Sequence, residues 1–249
     1  MIETNKQIIY GKFAKVLLFI LILAFCNIGT KYPASSESSS IIQTIKIKQI
    51  PDVNYPMVVR ERLHKELVIE VKKYITNMAP TSKVNADTLV NVCQRYDMDI
   101  TFVLAQGLIE SHFGTRGRAV GNPSKKIPPT NSVFNMGSWD SGKIIYKYKN
   151  VNASIEPFVR LVKSDYLSKR TLAQLLHDGG YKNTNGHRYA SSPIYEQALR
   201  STISTITMET SIKTYQSIIS MSDANILSYF GPATLENGIN SGTLTANLK

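Results

Sequence analysis

Apolar residues recur every three or four positions through much of this chain, and breaks in that rhythm mark where its elements begin and end. Over residues 57–80, Val59, Leu63, Leu67, Val71, Tyr74 and Met78 fall on one stripe, with Arg60, Glu61, Lys65, Glu66, Lys72 and Lys73 between them. That spacing predicts an amphipathic helical extension, stopped by Ala79-Pro80. Asn85 or Asp87 caps a second helix reaching about Tyr96. Asp99 or Thr101 caps a third, in which Phe102, Ala105, Ile109 and Phe113 form the apolar stripe and Gly114 is the stop. Helical spacing returns at 155–167, 172–176 and 193–221.

Elsewhere the pattern changes. Residues 115–150 are rich in Gly, Pro, Asn and Ser, and Asp140-Ser141-Gly142 separates short apolar runs, the later one holding Ile144, Ile145, Tyr146 and Tyr148. A loop and then a β-hairpin are expected. Residues 31–56, with Pro33, a serine-rich stretch and the alternation Thr44-Ile45-Lys46-Ile47-Lys48, predict a linker with one short strand. Residues 222–249 are polar and turn-rich, the composition of a loosely ordered tail. The predicted fold class is mainly α with a small β-hairpin lobe, its single domain of ordinary size spanning 81–221.

The first thirty residues change the picture of where the chain works. Lys6, Lys12 and Lys15 precede an unbroken apolar run, 16–26, and small or polar residues follow. The run is shorter than the ~20 residues of a spanning helix, so residues 1–30 read as a cleaved signal peptide before a signal anchor. An exported protein is expected, periplasmic, envelope-associated or secreted, whose N-terminal segment touches a membrane transiently. Of its two cysteines only Cys93 lies beyond that segment, so packing and not a disulfide must hold the mature fold.

Charge then narrows the partners. Lys and Arg outnumber Asp and Glu by 29 to 18, a formal net charge of +11. The basic residues are scattered and lack the interleaved aromatics of a single-strand binding groove, which argues against nucleic acid and for an anionic envelope surface.

The segment Leu104-Ala105-Gln106-Gly107-Leu108-Ile109-Glu110-Ser111-His112-Phe113-Gly114 carries the clearest chemistry. It sets a carboxyl group near the end of a strongly apolar helix, where partial burial beside Phe113 and the negative end of the helix dipole both disfavour the ionised form. A glycosidase general acid needs that, because the leaving sugar oxygen must receive a proton as its bond breaks. Gly107, one turn earlier, is expected to leave room for a substrate.

This stretch resembles the Ala-x-x-Glu-Ser-x-x-Gly motif of the glucosaminidases of glycoside hydrolase family 73 and their Bax-like relatives. Asn131-Ser132-Val133-Phe134-Asn135-Met136 resembles that family's Asn-Asn-Leu-Phe-Gly-Ile segment, with Ser132 and Asn135 departing from it. Tyr189-Ala190-Ser191-Ser192-Pro193-Ile194-Tyr195 resembles its Tyr-Ala-Thr-Asp-Pro-x-Tyr segment, with Ser192 in place of Asp. The three occur in the family's order over about residues 85–207. The resemblance implies a lysozyme-like helical domain, peptidoglycan glycan strands as substrate, cleavage after N-acetylglucosamine, Glu110 as the acid and Tyr189 beside the reacting sugar. Gln106 and Asn131 are further candidates for binding the substrate, and Phe134, Trp139 and Tyr195 are candidate faces for sugar rings.

Glycosidases commonly pair two carboxyl groups about 5–9.5 Å apart. Many members of the resembled family carry the second in a Thr-x-Glu-like context that is missing here. Asp140 is one candidate partner; the other is substrate assistance, in which the sugar's own acetamide oxygen attacks the anomeric carbon. His112 and His187 lack the spacing of a zinc motif, and Ser111 has neither a nucleophile elbow nor a base, so neither a metal nor another cofactor is expected. Two other functions fit the same motifs: a lytic transglycosylase or muramidase, and a wall-binding or virion-associated module without turnover.

Overall fold

The helix that opens the described part of the chain, α1 (Tyr55–Met78), starts where the Asn54 side chain accepts the Met57 N–H at 3.1 Å. The structure, a computed structural model, describes residues 54–136, 146–177, 189 and 194–230, all within the unit Gln49–Lys249. The predicted stripe of α1 is buried from Val59 to Tyr74, with Ile75 and not Met78 as its last contact. Its second half belongs to the main core, so the segment expected as an extension of the domain is one of its walls.

Two short helices follow. Asn85 caps α2 (Ala86–Arg95), its side chain accepting the Thr88 N–H at 2.8 Å, and Asp87 sits in the first turn. Asp99 caps α3 (Ile100–Ser111), accepting from the N–H groups of Thr101 at 2.9 Å and Phe102 at 3.3 Å. Instead of a stripe, α3 is buried on every side from Ile100 to Gly107, as befits a helix apolar all round. Helices α2, α6 and α7 pack against it.

Beyond α3 the chain makes two 3-10 turns, Gly117–Ala119 and Pro123–Lys125, and one isolated bridge between Asn122 and Ile127. There is no strand among the described residues. The turn of the expected β-hairpin lies outside them, and residues 146–148, meant for its second arm, are irregular.

The helical runs predicted from 155 onward are broken more often than their periodicity suggests. A 3-10 turn (Val151–Ser154) leads into α4 (Ile155–Leu161), which widens into a π turn, Val162–Tyr166. Thr171 and Gln174 form a capping box on α5 (Leu172–Leu175). Thr210 and Ser211 divide the last predicted run into α6 (Tyr195–Glu209) and α7 (Ile212–Ile219).

The tail expected to be loose contributes α8 (Asp223–Phe230), whose Ile226 and Phe230 are buried with Val59, Leu63 and Ile218 in a second cluster. So short a helix owes its order to that docking and not to propensity, which is why eight residues within a turn-rich stretch did not stand out. Arg60 completes the junction, donating to the carbonyls of Ile219 at 3.2 Å and Met221 at 2.7 Å and pairing with Asp223 at 2.6 Å. Among the described residues no helix is long and apolar enough to cross a membrane.

Lys213 of α7 pairs with Asp99 and so ties the first turn of α3 to the C-terminal helices. Burial pushes the Asp99 carboxyl up, but Lys213, Thr101 and the Phe102 N–H outweigh it and leave the group below its usual range. A carboxyl group lowered on folding contributes stability above its unfolded value near 4, and that contribution is lost as pH falls through the folded value. Urea unfolding should show stability declining as the pH is taken below about 4, and Asp99→Asn should flatten that decline while costing about 1 kcal/mol at neutral pH.

Candidate functional site

Glu110 stands on the last turn of α3, where the helix leaves the core: Gly107 is buried, Ile109 exposed and Glu110 half-buried. The backbone then reverses through three consecutive left-handed residues, His112 (φ 52°), Phe113 (φ 54°) and Gly114 (φ 78°). Two of the three are not glycine, so the turn needs outside support. It gets that from the Phe113 N–H, which reaches back to the Gly107 carbonyl at 2.8 Å, and from Ser111. The Ser111 hydroxyl accepts the Gly114 N–H at 2.8 Å and donates to the Val133 carbonyl at 2.6 Å. That second bond lays residues 131–136 across the helix end.

Asn135 arrives there in the left-handed region too (φ 48°). Its Nδ2 donates to the Glu110 backbone carbonyl at 2.6 Å and to Glu110 Oε2 at 3.0 Å. Since a carbonyl can only accept, the amide nitrogen must be the end that faces Glu110.

Tyr195, the first residue of α6, closes the other side. Its hydroxyl contacts Glu110 Oε1 and, at 2.9 Å, Gln106 Oε1. Burial, and after it the Glu110 charge, raise the Tyr195 phenol far above its ordinary range, so it keeps its proton. Tyr189 stands behind it, with ring centroids 6.5 Å from Tyr195, 6.2 Å from Phe102 and 5.0 Å from Tyr166. The Tyr189 hydroxyl is buried without a hydrogen-bond partner, and its phenol is likewise raised, by burial first and then by Glu110.

Four of the residues singled out from the sequence thus meet: Glu110, Gln106, Tyr189 and Tyr195. Gln106 is only 4% exposed and faces Tyr195, not an open surface. No protein-family model matches this chain, and no curated protein matches it either. What the site can do rests on its own chemistry: a half-buried carboxyl group, a hydrogen-bond partner on each of its oxygens, and one unsatisfied phenol at its side.

Other expectations need correction. Phe134 is 5% exposed and stacks on Phe158 with centroids 3.9 Å apart, so its face belongs to the core and not to a sugar. Asn131 donates to the Tyr148 carbonyl at 2.7 Å and lines a separate hollow with Lys83, Thr115 and Val151. Gly107 opens no space for substrate, because a Cβ there would meet Phe113 and Val133 at 3.1 Å. Phe113 packs edge-on against Tyr74, and it is Tyr195 and Asn135 that cover the carboxyl group. Trp139 and Asp140 lie outside the described residues. Among the described residues no three His, Cys, Asp or Glu side chains gather as a metal site would require.

Asn135 is the site residue that sequence reasoning missed. Its signal was the departure itself: the resembled segment has Gly at this position, and Asn is the side chain that best tolerates the same left-handed backbone while adding a donor. Asn135→Gly should therefore leave stability nearly unchanged, whereas Asn135→Ala should be about 1–2 kcal/mol less stable than Asn135→Gly. Chemical denaturation of the two variants side by side checks this without any assay of function.

Proposed function

We propose that this protein is an exported peptidoglycan hydrolase, an endo-β-N-acetylglucosaminidase of lysozyme-like fold, in which Glu110 delivers the proton to the leaving sugar oxygen. One observation carries the reading. Glu110, Asn135 and the pair Tyr189 and Tyr195 come from three separate stretches that each resemble a glucosaminidase segment, and they meet at a single carboxyl group. Chance matches scattered over about ninety residues have no reason to meet in space.

The parts divide the chemistry as follows. Glu110 protonates the glycosidic oxygen as the bond to the anomeric carbon breaks, and Asn135 and Tyr195 hold the carboxylate that remains. The Tyr189 hydroxyl, buried and without a partner among the described residues, is the group assigned to the acetamido group of the sugar, whose oxygen it would orient for attack on the anomeric carbon once substrate uncovers it. The net charge of +11 draws the protein to an anionic envelope. No metal or organic cofactor enters this chemistry.

Glu110→Gln should remain folded and lose at least ~100-fold in turnover, since an amide cannot supply the proton. A zymogram on purified peptidoglycan reads this directly, and unchanged turnover would sink the assignment. Product analysis on the same digest separates the chemistries: a reducing N-acetylglucosamine end is expected, and an anhydro-muramic end would mean a lytic transglycosylase.

A further pair of variants distinguishes the two sources of the second reacting group. With substrate assistance, Tyr189→Phe should lose far more activity than Asp140→Asn. The reverse order, with Asp140→Asn down by thousands-fold, would make Asp140 the partner instead.

A further inference from the structure

We infer that Gln106 is a positioning residue whose amide, acting through the hydroxyl of Tyr195, sets whether Glu110 is supported as an acid or as a carboxylate. The inference rests on the reading of Glu110 as the proton donor.

The Tyr195 oxygen has one hydrogen and two oxygen neighbours, Gln106 Oε1 at 2.9 Å and Glu110 Oε1. One hydrogen cannot satisfy both acceptors. With the amide oxygen facing Tyr195, that hydrogen goes to Gln106, and the contact with Glu110 is complete only when Glu110 Oε1 carries its own proton and donates it to the phenol. Turned end for end, the amide offers Nε2 to the phenol oxygen, and the phenol hydrogen then goes to an ionised Glu110. Each state of the carboxyl group has an amide orientation that puts one hydrogen in each of the two contacts of the Tyr195 oxygen.

Asn135 cannot follow in this way, because the Glu110 carbonyl holds its Nδ2 in place. Gln106 is 4% exposed, so water does not take over its part. Among the described residues, the phenols of Tyr195 and Tyr189 face this carboxyl group, and Tyr166 and Glu196 act on Tyr189. Both phenols keep their protons through the neutral range, so neither changes state there.

Over a turnover the protons balance. Glu110 Oε1–H leaves the phenol and protonates the glycosidic oxygen, which keeps the electron pair of the broken bond. The phenol hydrogen moves to Oε1 as Gln106 turns. Water then returns one hydrogen to Oε1 and its hydroxyl to the sugar, and the amide turns back.

In the wild-type protein, the side-chain amide resonances of Gln106 should change with the same pH midpoint as the Glu110 carboxyl carbon. Amide signals indifferent to that titration would overturn the inference, and this measurement needs no turnover. In Gln106→Met the phenol hydrogen is left to Glu110 alone, which favours the ionised form. Turnover should then fall about ten-fold with KM little changed, and the alkaline fall of kcat/KM should move down by about one pH unit, the worth of one hydrogen bond. In a Tyr195→Phe background the same substitution should no longer move the profile. A raised KM alone, an unmoved profile, or an effect that survives Tyr195→Phe would each refute action through Tyr195. An inactive wild-type protein whose Gln106 amide still follows Glu110 would refute the glycosidase reading and leave the coupling standing.

Discussion

A helix with apolar residues on every side has no face to give to water, and the rest of this fold is arranged to enclose Ile100–Ser111. Each large side chain taken from water there contributes about 1.5–3 kcal/mol, so the drive to surround the helix is large compared with any single polar contact around it. Apart from Gln106, which meets Tyr195, its polar side chains lie at its ends. Asp99 and Lys213 satisfy the first, and Ser111, with the loop it captures, satisfies the last. A carboxyl group on the final turn inherits the rigidity of a fully packed rod while standing at the surface, which is the placement that directed proton transfer needs.

The ends of the helices were easier to read from the sequence than their neighbours. Asn85 and Asp99 announce their helices because capping is local chemistry, settled within three residues. Glu110 was legible for a related reason: an acidic residue amid Leu104, Ala105, Leu108 and Ile109 is costly unless it has a task. Phe134 shows where such reading stops. Periodicity says that a ring is apolar, not whether Phe158 or a ligand will cover it. Gly107 misled for the same reason, since a missing side chain marks close approach without naming what approaches. Asn135 and α8 depend on contacts 25 to more than 150 residues away in sequence, which no local window contains.

The site carries a debt that the core does not. The buried Tyr189 hydroxyl without a partner costs about 1–3 kcal/mol relative to a satisfied one. Phe113, a bulky residue in the left-handed region, adds strain at the adjoining turn. Such departures are not confined to the site: Asp97 and Lys126 are also left-handed, and Arg118 Nη1 and the Tyr148 hydroxyl are also buried without a partner among the described residues.

The junction of Arg60 with Ile219, Met221 and Asp223 has a consequence for the order of assembly. The first half of α1 meets partners made much later, so Val59 and Leu63 stay uncovered until α7 and α8 have emerged, while Leu67 to Ile75 can pack earlier against α2. Early closure of this junction is therefore ruled out by connectivity. If the chain is exported as proposed, this junction stays open until both Arg60 and Asp223 have passed the channel.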